Sequence, residues 1–321
     1  MDRIMKYEIL LPVLAAFIIN VVLGPVVIPF LKKLKFGQFV RDDGPESHLK
    51  KSGTPTMGGL IIMTGIVATS LFYIKDYKNI RPILFVTLGF GFIGFLDDYI
   101  KVVMKRSLGL RAWQKMLGQI IVTSIFAYYL NHNTEIGTAM ILPFSNGKLL
   151  ETGSLFLPIL FFIVLGTVNG TNFTDGLDGL ASSVTVLIAV FFTVVAIGTE
   201  SGIEPITCAA VGSILGFLVY NVYPARVFMG DTGSLALGGF VVSTAYMLRM
   251  PLFLAIVAFI YLIEVLSVII QVISYHTTGK RVFKMAPIHH HFELSGWPET
   301  KVVAIFSIAT AILCLIGLLG L

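Results

Sequence analysis

Two cysteines, Cys208 and Cys314, are all that 321 residues contain, and both fall inside apolar runs. They read as small buried hydrophobes, and neither a disulfide framework nor a thiolate metal centre can be built from them. Charge is also scarce: Asp, Glu, Lys and Arg make up 13% of the chain against 56% hydrophobic residues. A soluble domain of this size carries about 25% charge. What charge there is gathers in short segments between long apolar runs. That excludes a large soluble core and predicts an all-α polytopic membrane protein, a single integral-membrane domain over residues 1–321.

A membrane-spanning helix needs about 20 mostly apolar residues. Ten runs meet this loosely: 8–31, 57–74, 82–100, 114–130, 154–169, 177–198, 203–221, 232–248, 251–274 and 301–321. The first is too long for a signal peptide, no small-residue cleavage site follows it, and Lys32, Lys33 and Lys35 come after it, so it is read as a span. Basic residues in short loops mark the cytoplasmic side. Of the 23 Lys and Arg, 16 fall on one side, chiefly Lys32, Lys33, Lys35, Arg41, Lys50 and Lys51 between the first two runs and Lys101, Lys105, Arg106, Arg111 and Lys115 between the third and fourth. The expectation is therefore a plasma-membrane protein with both termini outside and an active-site cleft facing the cytoplasm. The same parity brings Asp97, Asp98, Asp175, Asp178, Asp231 and His289-His290-His291 to the cytoplasmic face, while the outer loops hold little acid beyond Glu135, Glu151, Glu200 and Glu204.

Carboxylates at a hydrocarbon boundary are costly unless something uses them. Asp97-Asp98 ends the third run, with Lys101 one helical turn on and able to reach a phosphate. A solvated helix end is the plainer explanation, but acids suit a helix C-terminus poorly, because its dipole favours cations. In Asn172-Phe-Thr-Asp-Gly-Leu-Asp178, Asp175 and Asp178 lie one turn apart and face one way if a helix begins there. An ordinary N-cap explains one of those polar residues but not four. Gly230-Asp-Thr-Gly233 reads as a tight turn whose free N–H groups suit an anion, or equally as a cap with Asp231 in it. His48-Leu-Lys-Lys-Ser-Gly-Thr-Pro-Thr-Met-Gly-Gly59 combines a basic pair, hydroxyls and glycines suited to phosphate, and positive-inside charge accounts only for Lys50 and Lys51. The three histidines would point in different directions from any regular element and lack zinc spacing, so contact with phosphate or sugar is the better reading. Glu264 sits in the middle of the ninth run with Gln271 two turns later, which predicts a polar interior or a bend there.

Gly89-Phe-Gly-Phe-Ile-Gly94 fits a dinucleotide-binding pattern, but it lies inside an apolar run with no preceding strand and is better explained by close helix packing. Taken together, the segments supply hard oxygen ligands for Mg²⁺ and basic residues for phosphates. Phosphoryl transfer needs little more than positioning and charge neutralisation. The physical reading ends at Mg²⁺-dependent transfer of a phosphate-linked group to a lipid phosphate or hydroxyl.

At these motifs the chain resembles a known family along nearly its whole length. Lys51 to Gly59, Asp97-Asp98-Tyr-Ile-Lys101, Thr174-Asp-Gly-Leu-Asp178, Asn221 and Phe228-Met-Gly-Asp231 look like those of the polyprenyl-phosphate N-acetylhexosamine-1-phosphate transferases. Pro287-Ile-His-His-His-Phe-Glu-Leu294 is similar to the phospho-N-acetylmuramoyl-pentapeptide transferases within them. The resemblance implies transfer of phospho-MurNAc-pentapeptide from UDP-MurNAc-pentapeptide to undecaprenyl phosphate, giving lipid I and UMP. It implies that Asp231 ligates Mg²⁺ with support from Asp98, that Asp97 is the base on the lipid phosphate, and that Lys101 binds phosphate. Asn172, Asp175 and Asp178 would line the nucleotide pocket, Phe228 would stack on uracil, and Asn221 would be polar lining. Lys51 and Thr56 would contact the nucleotide side. His289, His290 and His291 would meet pyrophosphate or sugar, with His290 counted among the catalytic residues. A homodimer, and a lipid groove beside a bent ninth helix, are also implied; nucleic acid is not an expected partner. One segment departs from the family, Asn169-Gly-Thr-Asn-Phe-Thr174 standing where Asn-Ala-Val-Asn-Leu-Thr is usual.

Two other classes compete. An intramembrane aromatic prenyltransferase also uses aspartate-rich motifs with Mg²⁺, but needs neither the Thr-Pro-Thr-Met-Gly-Gly loop nor the histidines. A cation-coupled transporter would place polar groups near the midplane in two repeated halves. The chain shows no repeat, and only Glu264 fits that scheme.

Overall fold

The computed structural model describes residues 5–33, 51, 53–104, 109–134 and 136–321. Lys35, Arg41, His48, Lys50, Ser52, Lys105, Arg106 and Glu135, named above, lie outside them. Each of the ten apolar runs contains a helix. These are α1 (Leu11–Lys33), α2 (Gly59–Tyr73), α3 (Ile80–Val102), α4 (Ala112–Asn133), α5 (Phe156–Thr174), α6 (Leu180–Thr199), α7 (Glu204–Asn221), α8 (Gly230–Met247), α9 (Phe259–Thr278) and, after the six-residue α10 (Ile288–Glu293), α11 (Glu299–Leu319).

Among the described residues, seven helices are long and apolar enough to cross a membrane: α1, α3, the segment Gly153–Thr174 that contains α5, α6, α7, α9 and α11. The protein is thus an all-α, multi-pass membrane protein. The other three runs have physical reasons for falling short. Helix α2 has 15 residues, and α4 carries Gln114, Lys115 and Gln119. Helix α8 is buried from Thr232 to Met247 on every side; it packs against α3, α5 and α2 and needs no lipid-facing surface. Its small residues let neighbouring backbones approach closely.

The ninth run is broken near its start, upstream of Glu264 and Gln271, and the helix is continuous through both of these polar residues. A 3₁₀ turn (Pro251–Phe253) and one α-turn (Leu254–Val257) lead to Ala258, whose φ of −105° and ψ of 27° interrupt the helix before α9. Between α4 and α5 lies an element the hydropathy pattern did not predict, an antiparallel hairpin of β1 (Ala139–Ile141) and β2 (Leu149–Glu151). Asn146 (φ 55°) and Gly147 (φ 74°) form its turn in left-handed conformation, a pair that favours hairpins.

Candidate active site

The site begins where the C-terminal end of α3 meets the N-terminal end of α8. Asp97, Asp98 and Asp231 each offer an oxygen, all within 4.8 Å of one another. Gly94 and Gly59 make this meeting possible. A Cβ on Gly94 would stand 2.0 Å from the Asp231 carbonyl oxygen, and one on Gly59 would stand 2.1 Å from the Gly233 nitrogen.

The helix-end puzzle of Asp98 is resolved by its neighbour. Asp98 is unfavourable at the end of its own helix, yet its Oδ2 accepts from Thr232 N (2.8 Å) and Thr232 Oγ1 (2.6 Å), and its Oδ1 from Asp231 N (3.2 Å). It therefore caps the N-terminus of α8, where the dipole favours an anion. Its Oδ1 thus holds the Asp231 backbone and its Oδ2 holds Thr232, so Asp98 positions the start of α8 against α3. Asp97 accepts from Leu110 N (2.7 Å) and pairs with Lys101 (2.5 Å).

Asp231 carries the densest set of contacts. Its Oδ2 receives Lys101 Nζ (2.9 Å) and Lys115 Nζ (3.1 Å), and its Oδ1 receives Asn172 Nδ2 (2.8 Å). Lys115 also reaches Asn172 Oδ1 at 3.3 Å. Asp175 joins this acidic centre from the turn after α5. Burial, followed by the charges of Asp231 and Asp98, pushes its carboxyl well above the usual carboxylate range, opposed by a hydrogen bond with the Gly230 backbone. A carboxyl with a raised folded-state pKa costs stability as pH rises above its unfolded value, near 3.9, toward the folded one. Asp175→Asn should therefore raise the melting temperature in EDTA at pH 8, with the gain vanishing toward pH 4. A variant less stable than the parent at pH 8 contradicts this electrostatic account.

A second group gathers around Lys51. Lys51 Nζ bonds Asp178 Oδ1 (2.7 Å) and Glu299 Oε1 (2.6 Å); the same Glu299 oxygen accepts from Asp178 N (2.6 Å), and Asp178 Oδ2 accepts from Ala225 N (2.8 Å). Burial by itself lowers the Lys51 pKa, but the hydrogen bonds and charges of both carboxylates leave it raised. Removing Lys51 strands two largely buried acids beside each other. Lys51→Met should destabilise the fold by about 3 kcal/mol, and Glu299→Gln in that background should recover part of it. Unchanged thermal unfolding of Lys51→Met argues against the triad.

The Thr-Pro-Thr-Met-Gly-Gly loop is tied in through its backbone. Phe228 N donates to Pro55 O (2.8 Å), Gly58 N to Phe228 O (2.9 Å) and Gly59 N to Met229 O (2.9 Å). The loop thus lies along the approach to Asp231, with Thr56 buried beneath and Phe228 half-buried. Asn221 is only 2% exposed. It accepts from Ser182 Oγ (2.8 Å) and donates to Val227 O (3.0 Å), which places it inside the wall and not on its lining.

The histidines of α10 diverge, as neighbours on a helix must. His289 is fully buried, its Nδ1 on Glu264 Oε1 (3.1 Å) and its Nε2 against Gly176, so it braces the Asp175–Asp178 turn from behind. His290 pairs with Glu293 (2.8 Å), and His291 Nδ1 accepts from Lys284 N (3.1 Å). Glu264 thereby gains the partner the sequence left open. In the segment that departs from the family, Gly170 packs on Tyr261 O, and Thr171 Oγ1 donates to Thr167 O (2.9 Å).

The sequence reading missed Lys115, Glu299 and Thr232. Lys115 entered only as a loop-flanking charge, and Glu299, two residues before the tenth run, did not enter at all.

The fold and this carboxylate–lysine centre define an integral-membrane transferase acting on phosphate-linked groups, and comparison with known proteins agrees. Residues 80–249 match the model of glycosyl transferase family 4, and residues 51–63 match phospho-N-acetylmuramoyl-pentapeptide-transferase signature 1. The chain is similar to the phospho-N-acetylmuramoyl-pentapeptide-transferase of Acetivibrio thermocellus, 52% identical over 95% of this chain and 93% of that protein. It is 52% identical to the enzyme so named from Clostridium botulinum strain Eklund 17B, over 99% of this chain and 98% of that one. For Clostridioides difficile strain 630 the identity is 48%, over 98% of both chains. The chain belongs to the phospho-N-acetylmuramoyl-pentapeptide-transferase family and is an enzyme, a glycosyl-1-phosphate transferase of peptidoglycan synthesis.

Proposed function

We propose that this enzyme transfers phospho-MurNAc-pentapeptide from UDP-MurNAc-pentapeptide to undecaprenyl phosphate, releasing lipid I and UMP. In net terms an oxygen of the lipid phosphate bonds to the sugar-linked phosphorus, and the bond from that phosphorus to the UMP oxygen breaks. The observation that carries the reading is the convergence of Asp97, Asp98 and Asp231 with Lys101 and Lys115 at one helix junction.

The donor set fits Mg²⁺: oxygen ligands alone, grouped within 4.8 Å, with neither sulfur nor imidazole among them. Asp231 would hold the ion, with Asp97 and Asp98 beside it; when bound, it neutralises phosphate charge. Asp97 would take a proton from the lipid phosphate, and its neighbour Lys101 would hold a phosphate oxygen. Lys115 offers a second ammonium for the diphosphate. Lys51 and Asp178 lie on the side assigned to the nucleotide, where Phe228 offers its ring to uracil. His290 and His291 face the pyrophosphate or sugar. His289 supports the Asp175–Asp178 turn.

We also assign the helices of all ten apolar runs to membrane crossings, with α2, α4 and α8 added to the seven that meet both the length and the apolarity of a span. The Lys and Arg excess supports a centre on the cytoplasmic side of a bacterial plasma membrane, with both termini outside. A homodimer belongs to the same reading. Radiolabelled UDP-MurNAc-pentapeptide, undecaprenyl phosphate and Mg²⁺ supplied to the purified enzyme should yield labelled lipid and equimolar UMP, with both lost in EDTA. Absence of lipid product with Mg²⁺ present rejects the assignment.

A further inference from the structure

Above the acidic centre, two amides face each other between helices. Asn169 Nδ2 donates to Gln119 Oε1 (2.9 Å), and Gln119 Nε2 donates back to Asn169 Oδ1 (3.3 Å). Gln119 is 1% exposed. The second Asn169 N–H bonds Leu165 O at 2.8 Å in its own helix, which fixes the orientation of that amide. Such a reciprocal pair is costly to separate where no water replaces the lost partner.

The positions of the two amides give the pair its consequence. On α4, Gln119 lies one turn beyond Lys115; on α5, Asn169 lies one turn before Asn172. Residues three and four apart share a helix face. The pair therefore sets the register of α4 against α5 at the level just above the two side chains that converge on Asp231: Lys115 on its Oδ2 (3.1 Å) and Asn172 on its Oδ1 (2.8 Å). Lys115 and Asn172 also touch each other at 3.3 Å, the next contact below the amides. We infer that Gln119 and Asn169 are positioning residues of the transfer centre, a clasp through which α4 and α5 deliver Lys115 and Asn172 to the two oxygens of Asp231. The inference rests on reading Asp231 as the centre's principal carboxylate.

A double-mutant cycle between Gln119→Leu and Lys115→Met tests it in the full-length enzyme, read by turnover and by thermal unfolding. Gln119→Leu should lower kcat by about 30-fold, in the range for partners that orient a catalytic group, with KM for the nucleotide substrate within twofold. In the Lys115→Met background the same change should cost almost nothing further. The exchange variant, Gln119→Asn with Asn169→Gln, should recover most of the lost rate, because the facing amides are restored. Lys115→Met should also lower the melting temperature of the parent, and lower it clearly less once Gln119 is leucine. Asn169→Ser opens the same clasp from α5 and gives the same readings where Gln119→Leu does not fold. Additive losses in both measurements overturn the clasp and leave only a generic helix contact. If the parent enzyme makes no lipid product, the proposed reaction falls, and the unfolding cycle still decides the clasp: coupling keeps it and additivity ends it.

Discussion

Asp231→Asn should abolish turnover, by about 10³-fold or more, while the protein inserts and unfolds much as the parent does. The magnitude follows from what phosphoryl transfer requires, since a single well-placed charge in such centres is worth about 10³ to 10⁵ in rate. Asparagine keeps the shape and an amide oxygen that can accept from Asn172 Nδ2, but it removes the anion on which Lys101 and Lys115 meet at 2.9 and 3.1 Å. Two ammonium groups then face each other without the carboxylate between them, and the oxygen triad of Asp97, Asp98 and Asp231 drops to two anions. The fold should survive because α8 is anchored by Asp98 to the Thr232 backbone and hydroxyl, contacts that do not use the Asp231 side chain. Steady-state lipid product formation beside a melting curve checks both halves. Retention of more than a tenth of the parent rate would remove Asp231 from the centre.

The second large effect needs no chemistry at the altered residue. Gly94→Ala should lower stability by about 3 kcal/mol, the upper part of the usual range for overpacking, and turnover by about 10²-fold, as expected when catalytic groups are displaced by roughly 1 Å. The added methyl group would lie 2.0 Å from the Asp231 carbonyl oxygen, 2.4 Å from its carbon and 2.7 Å from Thr232 N. All three are backbone atoms, so no rotamer change relieves the clash. Helices α3 and α8 must separate at the level where Asp98 caps α8 and Asp97 approaches Asp231. Gly166→Ala supplies the control, because a Cβ on Gly166 meets nothing within 4 Å and alanine suits a helix; it should be neutral or mildly stabilising. Equal behaviour of the two variants would show that the close approach at Gly94 does not set the geometry of the centre.

Gly94 also marks where sequence reasoning reached and where it stopped. The pattern Gly89 to Gly94 was legible as close helix packing, but the partner was not, because Asp231 lies 137 positions away along the chain. Asp97, Asp98 and Asp231 were legible as a set because carboxylates at the ends of apolar runs are expensive, and parity placed them at one face. Lys115 and Glu299 gave no such signal. A lysine after a loop and a glutamate in the first turn of a helix are ordinary residues until tertiary contact brings them to Asp231 and to Lys51. Hydropathy found a helix in every run, yet it understates α8, since a helix enclosed by other helices has no reason to be lipophilic. It passed over the hairpin because strands of three residues carry too little periodicity, although Asn146-Gly147 marked the turn. The adjacent histidines were rightly expected to diverge. That one of them, His289, would be sealed against Glu264 required the α9–α10 packing itself.

The central claim is that α3 and α8 build one divalent-cation centre from Asp97, Asp98 and Asp231. Crystals of the enzyme grown with Mn²⁺, a Mg²⁺ substitute, and measured for anomalous scattering test it most directly. A single peak within coordination distance of the Asp231 carboxylate, and beside Asp97, is the predicted result. A peak at the histidines of α10 or in the β1–β2 region, with none at Asp231, would contradict the account.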